Sequence, residues 1–291
     1  MVLLRDVQLG THQQPLPLWS DQERKGEGCN ARGTSIALPK LYSVKSTPSL
    51  HIARLLNNTL IPPFRAIPVA RDLLLRNLTS NPALQVDRGH YAPSSPYADS
   101  PQSIGFSATL SAPHMHGHAC EYLLPFLHPG SRVLDIGSGS GYLTHVLANL
   151  VSDPSNPSSD GQVIGIDHIQ GLIDLSRNNM AKSEDGRKLL ESGKVKFVTG
   201  DGRLGYPEGG PYDAIHVGAA AASMHPALID QLKAPGRMFI PVEEGGEGGG
   251  LRSLGLGGSQ YVWVVDKKED GSVHKERVFG VSYVPLTDAP K

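Results

Sequence analysis

From Asp87 onward the chain alternates apolar runs of five or six residues with longer stretches of helical period, and this alternation limits the fold more than any other feature. Strand and helix in that order build a mainly parallel sheet covered on both faces by helices. The runs SRVLDI (131–136), QVIGID (162–167), KVKFVT (194–199), YDAIHV (212–217) and RMFIPV (237–242) are rich in branched residues and mostly unalternating. That is the texture of strands buried on both faces. Helical patterns fill 141–151, 169–181 and 224–233. The last two runs, YVWVVD (261–266) and RVFGVSYV (277–284), flank a charged segment in which Asp270-Gly271 is a turn signal. They predict an antiparallel pair closing the sheet edge. The expected fold is α/β, doubly wound and mostly parallel.

The N-terminal part has another texture. Its polar, Gly-, Ser- and Pro-containing sequence keeps no sustained period, which predicts a disordered or atypical extension over residues 1–60 and a folded domain over 61–291. Pro62, Pro63, Pro68 and Pro82 interrupt the apolar clusters that follow, leaving room for one short helix around Ala70 to Asn77. The segment EEGGEGGG (243–250) is too glycine-rich to order itself.

Charge and cysteine content exclude several classes of partner. With 27 Lys and Arg against 28 Asp and Glu, the formal net charge is −1, so the bulk electrostatics call for neither nucleic acid nor an anionic membrane. No stretch reaches the roughly 18 apolar residues of a membrane span. The start of the chain lacks the apolar core of a secretory signal. Two cysteines, Cys29 and Cys120, suit neither a disulfide framework nor a four-ligand zinc site. A reducing, cytoplasmic location is the expectation.

The candidate chemistry begins at VLDIGSGSGYL. Asp135 ends a buried strand, Gly137, Gly139 and Gly141 form the turn, and a helix starts near Tyr142. Glycines there permit positive φ and let a ligand reach the backbone. A dinucleotide fingerprint would need glycine at position 142, which is Tyr142. The next strand ends in Asp167, where a carboxylate can accept from both hydroxyls of a ribose, and a third ends in TGDGR with Asp201 and Gly202 at an adenine edge. Together these describe a pocket for S-adenosyl-L-methionine, which carries no phosphate to be met by a helix terminus.

A second candidate is SATLSAPHMHGHACEYL (107–123). Met115, Ala119, Tyr122, Leu123 and Phe126 share one helical face, with Ser111 at the N-cap position and Pro113 in the first turn. The residues read most simply as a helix start. His114 and His118 share a face, but a zinc site would need a third ligand and a catalytic acid that this spacing does not supply.

These segments, together with VDRGHYAP, PYADSPQSIGF, GDGRLGYPEGGPYDAIHVGAAA, ALIDQLKAPGRMFIPV and GVSYVPLTD, closely resemble the protein-L-isoaspartate (D-aspartate) O-methyltransferase family of protein-repair carboxyl methyltransferases. The resemblance runs from about residue 86 to the end of the chain. It implies a Rossmann-like class I S-adenosyl-L-methionine-dependent methyltransferase. Carried over by motif, the active-site serine is Ser111, whose hydroxyl would orient the isoaspartyl carboxylate. The cofactor site would take Ala108, Thr109, Leu110, Ser111 and His116, with Asp135, Gly137, Ser138, Gly139, Ser140 and Gly141 at the methionine portion. Asp167 and His168 would serve the ribose, Asp201 and Gly202 the adenine side, and Thr287 would close the pocket. The residues by themselves equally allow Ser111 as a helix cap, Thr287 as a strand end and His168 as a surface residue. The helical segment that precedes DR-x-HY in the family is not visible among the 86 residues before Asp87.

The implied activity is methylation of the free α-carboxylate of L-isoaspartyl and D-aspartyl residues in damaged proteins, with S-adenosyl-L-homocysteine as product. The ester then closes to a succinimide whose hydrolysis restores some aspartate. Isoaspartyl peptides and proteins are the expected partners, and the enzyme is expected to be a monomer with no nucleic-acid or membrane partner. The competing reading is a catalytically weak relative that binds cofactor and isoaspartyl peptide as a module. Methylation of a small molecule or nucleic acid is disfavoured by the absence of a basic patch or of a base-holding Asn/Asp-Pro-Pro-Tyr/Phe motif.

Overall fold

The computed structural model describes residues 86–153, 156, 161–244 and 259–287. The extension, the helix expected at 70–77 and nearly all of the 243–250 segment lie outside these residues. A short hairpin comes first, β1 (Gln102–Gly105) and β2 (Ala108–Leu110), followed by helix α1 (Pro113–Leu123). The main sheet then collects β3 (Arg132–Ile136), β4 (Gln162–Asp167), β5 (Val195–Thr199), β6 (Tyr212–Val217), β7 (Leu232–Glu244), β8 (Ser259–Lys267) and β9 (Val273–Val281). Helices α2 (Tyr142–Val151), α3 (Gln170–Met180), α4 (Glu184–Glu191) and α5 (Pro226–Asp230) connect them.

Strand order is β5-β4-β3-β6-β7-β8-β9. The first five strands pair in parallel, while β7–β8 and β8–β9 are antiparallel. The five parallel runs and the antiparallel edge pair are therefore those expected from their apolar texture. Strands β3, β4 and β6 are buried along nearly their whole length because each face meets its own core layer. Val133, Val163, Phe197 and Phe239 pack with helices α1 to α4 on one side, and Leu134, Ile166, Ile215 and Ile240 pack with Leu228 of α5 on the other.

Side-chain pairs fix the layers. Arg237 on β7 forms two hydrogen bonds to Asp266 directly across on β8, at 2.6 and 2.8 Å, and donates to the Tyr122 carbonyl at 2.9 Å. One forked guanidinium thus joins the antiparallel edge to the end of α1. On the other flank the Tyr91 hydroxyl lies 2.5 Å from His145 Nδ1, and His145 Nε2 lies 3.0 Å from the Asp185 carboxylate. Those contacts tie the segment before β1 to α2 and α4.

Three expectations are corrected, and one helix is added. The helix expected over 224–233 spans only Pro226–Asp230, because Leu232 already pairs with Tyr212 as the start of β7. The run expected at 277–284 belongs to a strand that begins at Val273 and ends at Val281, its register set by the Asp270-Gly271 turn. Helix α4 was absent from the expected set; Ser183 caps it by accepting from Gly186 N at 3.2 Å. Ser111 is not the N-cap of α1: Ala112 holds that position without a side-chain bond, and Pro113 opens the helix.

Gly165 in β4 illustrates how closely sheet and turn are packed. A Cβ there would lie 2.6 Å from the Phe197 ring and 3.0 Å from Ser138 Cβ in the glycine turn. Gly165→Ala should therefore lower stability by about 1–3 kcal/mol through overpacking, read as a reduced midpoint in urea denaturation with an unchanged slope.

Candidate functional site

A parallel sheet whose order reverses beside β3 opens a crevice at its carboxyl edge, between the loops that follow β3 and β6. The two loops separate from a common point, since Gly137 N donates to Ile166 O at 2.8 Å and Gly218 N donates to Ile136 O at 2.7 Å. Gly137, Gly139 and Gly141 have φ of 73°, 53° and 84°. At Gly141 a Cβ would also press on Ser176 at 3.0 Å, so this position excludes other residues on two counts.

The crevice is a cleft of about 460 Å³. Gly137 and Gly139 form part of its floor, Asp167 and His168 come from the end of β4, and Gly202 follows β5. Ala108 and Thr109 arrive from β2, and Thr287 from the chain that returns after β9. Residues far apart in sequence thus meet at one cavity. Ile136, Ile166, Leu172 and Leu286 supply apolar walls.

Asp167 is 8% exposed and accepts from Gly139 N and Ile169 N, both at 3.2 Å. Burial raises its pKa above the ordinary carboxylate value, and the backbone donors oppose that shift. Two backbone bonds leave acceptor capacity on the oxygens for a diol. A glycine turn open to ligand, one carboxylate and apolar walls fit the S-adenosyl group: Asp167 would hold the ribose, and the isoleucines and leucines would flank the base.

Other predicted residues stand behind or beside this surface. Asp135 is 1% exposed and sits beneath the turn, with Oδ1 2.8 Å from His216 Nδ1 and Oδ2 accepting from Thr144 Oγ1 at 2.5 Å. Its side chain joins β3, β6 and α2. Ser138 and Ser140 are buried, the latter accepting from Tyr142 N at 3.3 Å. Asp201 turns to Arg203 in a two-pronged ion pair, with bonds of 2.9 and 2.7 Å, which lowers its pKa, so its neighbour Gly202 reaches the cleft and its carboxylate does not. Leu110 is buried, and Ser111 and His116 sit just beyond Thr109, outside the residues that line the cleft. His114 contacts Asp99 at 2.8 Å, and His118 packs on Phe279 with ring centroids 4.6 Å apart.

Several residues at the site were not anticipated. Phe106 and Ser107 lie at the cleft with φ of 53° and 56°, completing a turn between β1 and β2. The Phe106 ring covers Gly171 so closely that a Cβ there would fall 2.4 Å from it. The only sequence signal was Gly105 beside an aromatic residue. Gly218 and Ala219 follow β6 at the switch point, a position that strand order alone could have flagged. The Tyr283 hydroxyl stands near the Ser111 side chain, and burial raises its pKa. Arg88 is buried and donates to the Ser111 carbonyl at 2.7 Å.

Fold and cleft define an S-adenosyl-L-methionine-dependent methyltransferase of the Rossmann-like class. A family model described as protein-L-isoaspartate(D-aspartate) O-methyltransferase (PCMT) matches residues 75–291. The Caenorhabditis elegans protein-L-isoaspartate O-methyltransferase is 45% identical over 202 residues, which span 69% of this chain and 81% of that protein. Protein-L-isoaspartate O-methyltransferase 1 of Arabidopsis thaliana is 46% identical over 204 residues, spanning 69% and 80% of the two chains. A solved Plasmodium falciparum structure, described as a protein-L-isoaspartate O-methyltransferase in complex with S-adenosyl-L-homocysteine, aligns with a TM-score of 0.61 and 31% identity over 76% of this chain and 97% of that one. The chain belongs to the protein-L-isoaspartate (D-aspartate) O-methyltransferase family.

Asp167→Asn should weaken S-adenosyl-L-homocysteine binding about tenfold or more, because a charged acceptor becomes a neutral amide. In the unsubstituted enzyme, affinity should fall on acidification as the raised Asp167 pKa is crossed, starting above the ~4 of a solvated carboxylate. Isothermal titration across that range should show the decline and its loss in the Asn variant.

Proposed function

We propose that this chain transfers a methyl group from S-adenosyl-L-methionine to the α-carboxylate of L-isoaspartyl and D-aspartyl residues in damaged proteins, with Ser111 orienting that carboxylate. The observation that carries the reading is the convergence of Ala108 and Thr109, three and two residues before Ser111, with Gly139 and Asp167 on one cleft. The cofactor supplies, when bound, an electrophilic methyl on a sulfonium.

The chain's own task is alignment. An isoaspartyl α-carboxylate is ionised at neutral pH, so no side chain has to remove a proton before it attacks. Ser111 is held at its backbone, where Arg88 donates to its carbonyl at 2.7 Å, and its side chain stands near the Tyr283 hydroxyl. A serine whose backbone is fixed in this way can offer its hydroxyl to an incoming carboxylate oxygen from a constant position. Phe106 and the β1–β2 turn cover one side of the cleft, limiting water where opposite charges are neutralised. Positioning of this kind supplies much of the rate acceleration in a displacement between bound partners.

The reading extends to the whole protein. The methyl ester closes to a succinimide after release, and hydrolysis returns part of the product to normal aspartate. Residues 61–291 constitute the methyltransferase domain and 1–60 an extension. The nearly balanced charge favours peptide substrates over nucleic acid, and the enzyme works as a cytoplasmic monomer. Among the described residues no helix is long and apolar enough to cross a membrane.

A methanol-release assay on an isoaspartyl peptide and its normal aspartyl twin tests the proposal. Base-labile methyl should appear on the isomer alone; binding of cofactor and peptide without transfer would instead identify a binding module. Ser111→Ala should reduce kcat about tenfold, the worth of one orienting hydrogen bond to a charged group, and leave S-adenosyl-L-homocysteine affinity within about twofold. Unchanged turnover in that variant would remove Ser111 from the mechanism.

A further inference from the structure

Arg88 is a cation in the interior, 1% exposed, yet nothing in the reaction as described requires a positive charge there. One terminal nitrogen donates to Ser111 O at 2.7 Å, the other lies 3.1 Å from His116 Nδ1, and the guanidinium carbon stands 5.0 Å from the centre of the Tyr142 ring. Its Nε is buried without a hydrogen-bond partner. A buried guanidinium with one donor unsatisfied is a poor device for stability alone. The two terminal nitrogens are nevertheless each committed to one residue of the segment that carries the catalytic serine.

The chemistry of that contact leaves a single assignment. Guanidinium nitrogens are donors only, so at 3.1 Å the arginine N–H donates and His116 Nδ1 must accept. An imidazole that accepts at Nδ1 and is neutral carries its proton on Nε2. A proton on Nδ1 would set two donors against each other, and in the imidazolium two positive charges as well.

We infer that Arg88 is a positioning residue that locks His116 as the neutral Nε2–H tautomer while anchoring the Ser111 carbonyl, so that the end of β2 and the first turn of α1 are held in one arrangement beside the cleft. The inference rests on the reading of Ser111 as the orienting residue. His116 is then a permanent donor at Nε2, not a base and not a pH sensor. Its surroundings agree: burial is the largest influence lowering its pKa, and the charges that face it, Arg88 with His216 and His114, act in the same direction. Helix α1 also turns on this contact. The expected apolar face began at Met115, yet the neighbouring His116 is the one that is buried, since the arginine gives its ring a polar partner. Lysine could not replace this arrangement, because a single ammonium cannot hold a carbonyl and a ring nitrogen with the fixed fork of a guanidinium.

Nitrogen NMR of the full chain labelled at histidine reads the tautomer directly, with His116→Gln serving only to assign the signal. Between pH ~5.5 and ~8, which brackets an ordinary histidine, His116 should keep a protonated Nε2 and a bare Nδ1 without titrating. A proton on Nδ1, or an imidazolium forming in that window, overturns the inference and needs no variant to do so. In Arg88→Lys and Arg88→Met the signal should shift towards mixed tautomers and begin to titrate. Their kcat on isoaspartyl peptide should fall about tenfold, with S-adenosyl-L-homocysteine affinity changed less than about threefold. A folded variant with an unchanged tautomer and unchanged kcat also overturns it. Methanol release by the unsubstituted enzyme tests the catalytic reading separately, since the spectrum does not depend on turnover.

Discussion

Parallel pairing of β4, β3 and β6 is the constraint on which the rest of the structure depends. Register aligns Ile136 with Ile166 on one side and with Val217 on the other, so three strands end at nearly one level. The chain must then divide, with the β3 loop going one way and the β6 loop the other. The bonds from Gly137 N to Ile166 O and from Gly218 N to Ile136 O complete the last rungs of the ladder and start the divergence. A cleft at that edge follows from topology before any side chain is considered.

Beneath the cleft the sheet is stiffened by polar contacts in its interior. Asp135 and His216 face each other across β3 and β6, and Thr144 brings α2 to the same carboxylate. Buried polar groups satisfied in this way are costly to rearrange, so the sheet beneath the cleft is stiff. At the upper surface Asp167 receives the backbone of the glycine turn, so the carboxylate that lines the cleft also fixes the shape of the turn beside it. Two acidic residues that look equivalent in sequence therefore do different jobs. One is enclosed by donors, and the other retains oxygens that a ligand can reach.

Most of the sheet was legible in the sequence because strands buried on both faces must be apolar throughout, and that demand leaves a continuous run such as QVIGID or YDAIHV. Short elements left weaker traces. The β1–β2 hairpin left only Gly105 beside an aromatic residue as a mark, its two positive-φ residues appearing with the structure, and α4 is a polar surface helix marked by its cap, Ser183. Ser111 resembled a helix cap because Pro113 follows two residues later, but its carbonyl is taken by Arg88, which lies 23 positions away in the chain. No local pattern contains that contact.

The sequence by itself determined the class of fold, the order of its parallel strands along the chain and the family, since apolar period, glycine turn and motif blocks are local properties. Tertiary structure alone decided which residues line the cleft. Gly202 lines the cleft while Asp201 turns away to Arg203, and Thr109 lines it while His116 turns inward to Arg88. The reason is physical: a side chain's direction is set by the partner that best satisfies its hydrogen bonds and charge, and at this site those partners come from distant segments that meet only when the sheet has formed.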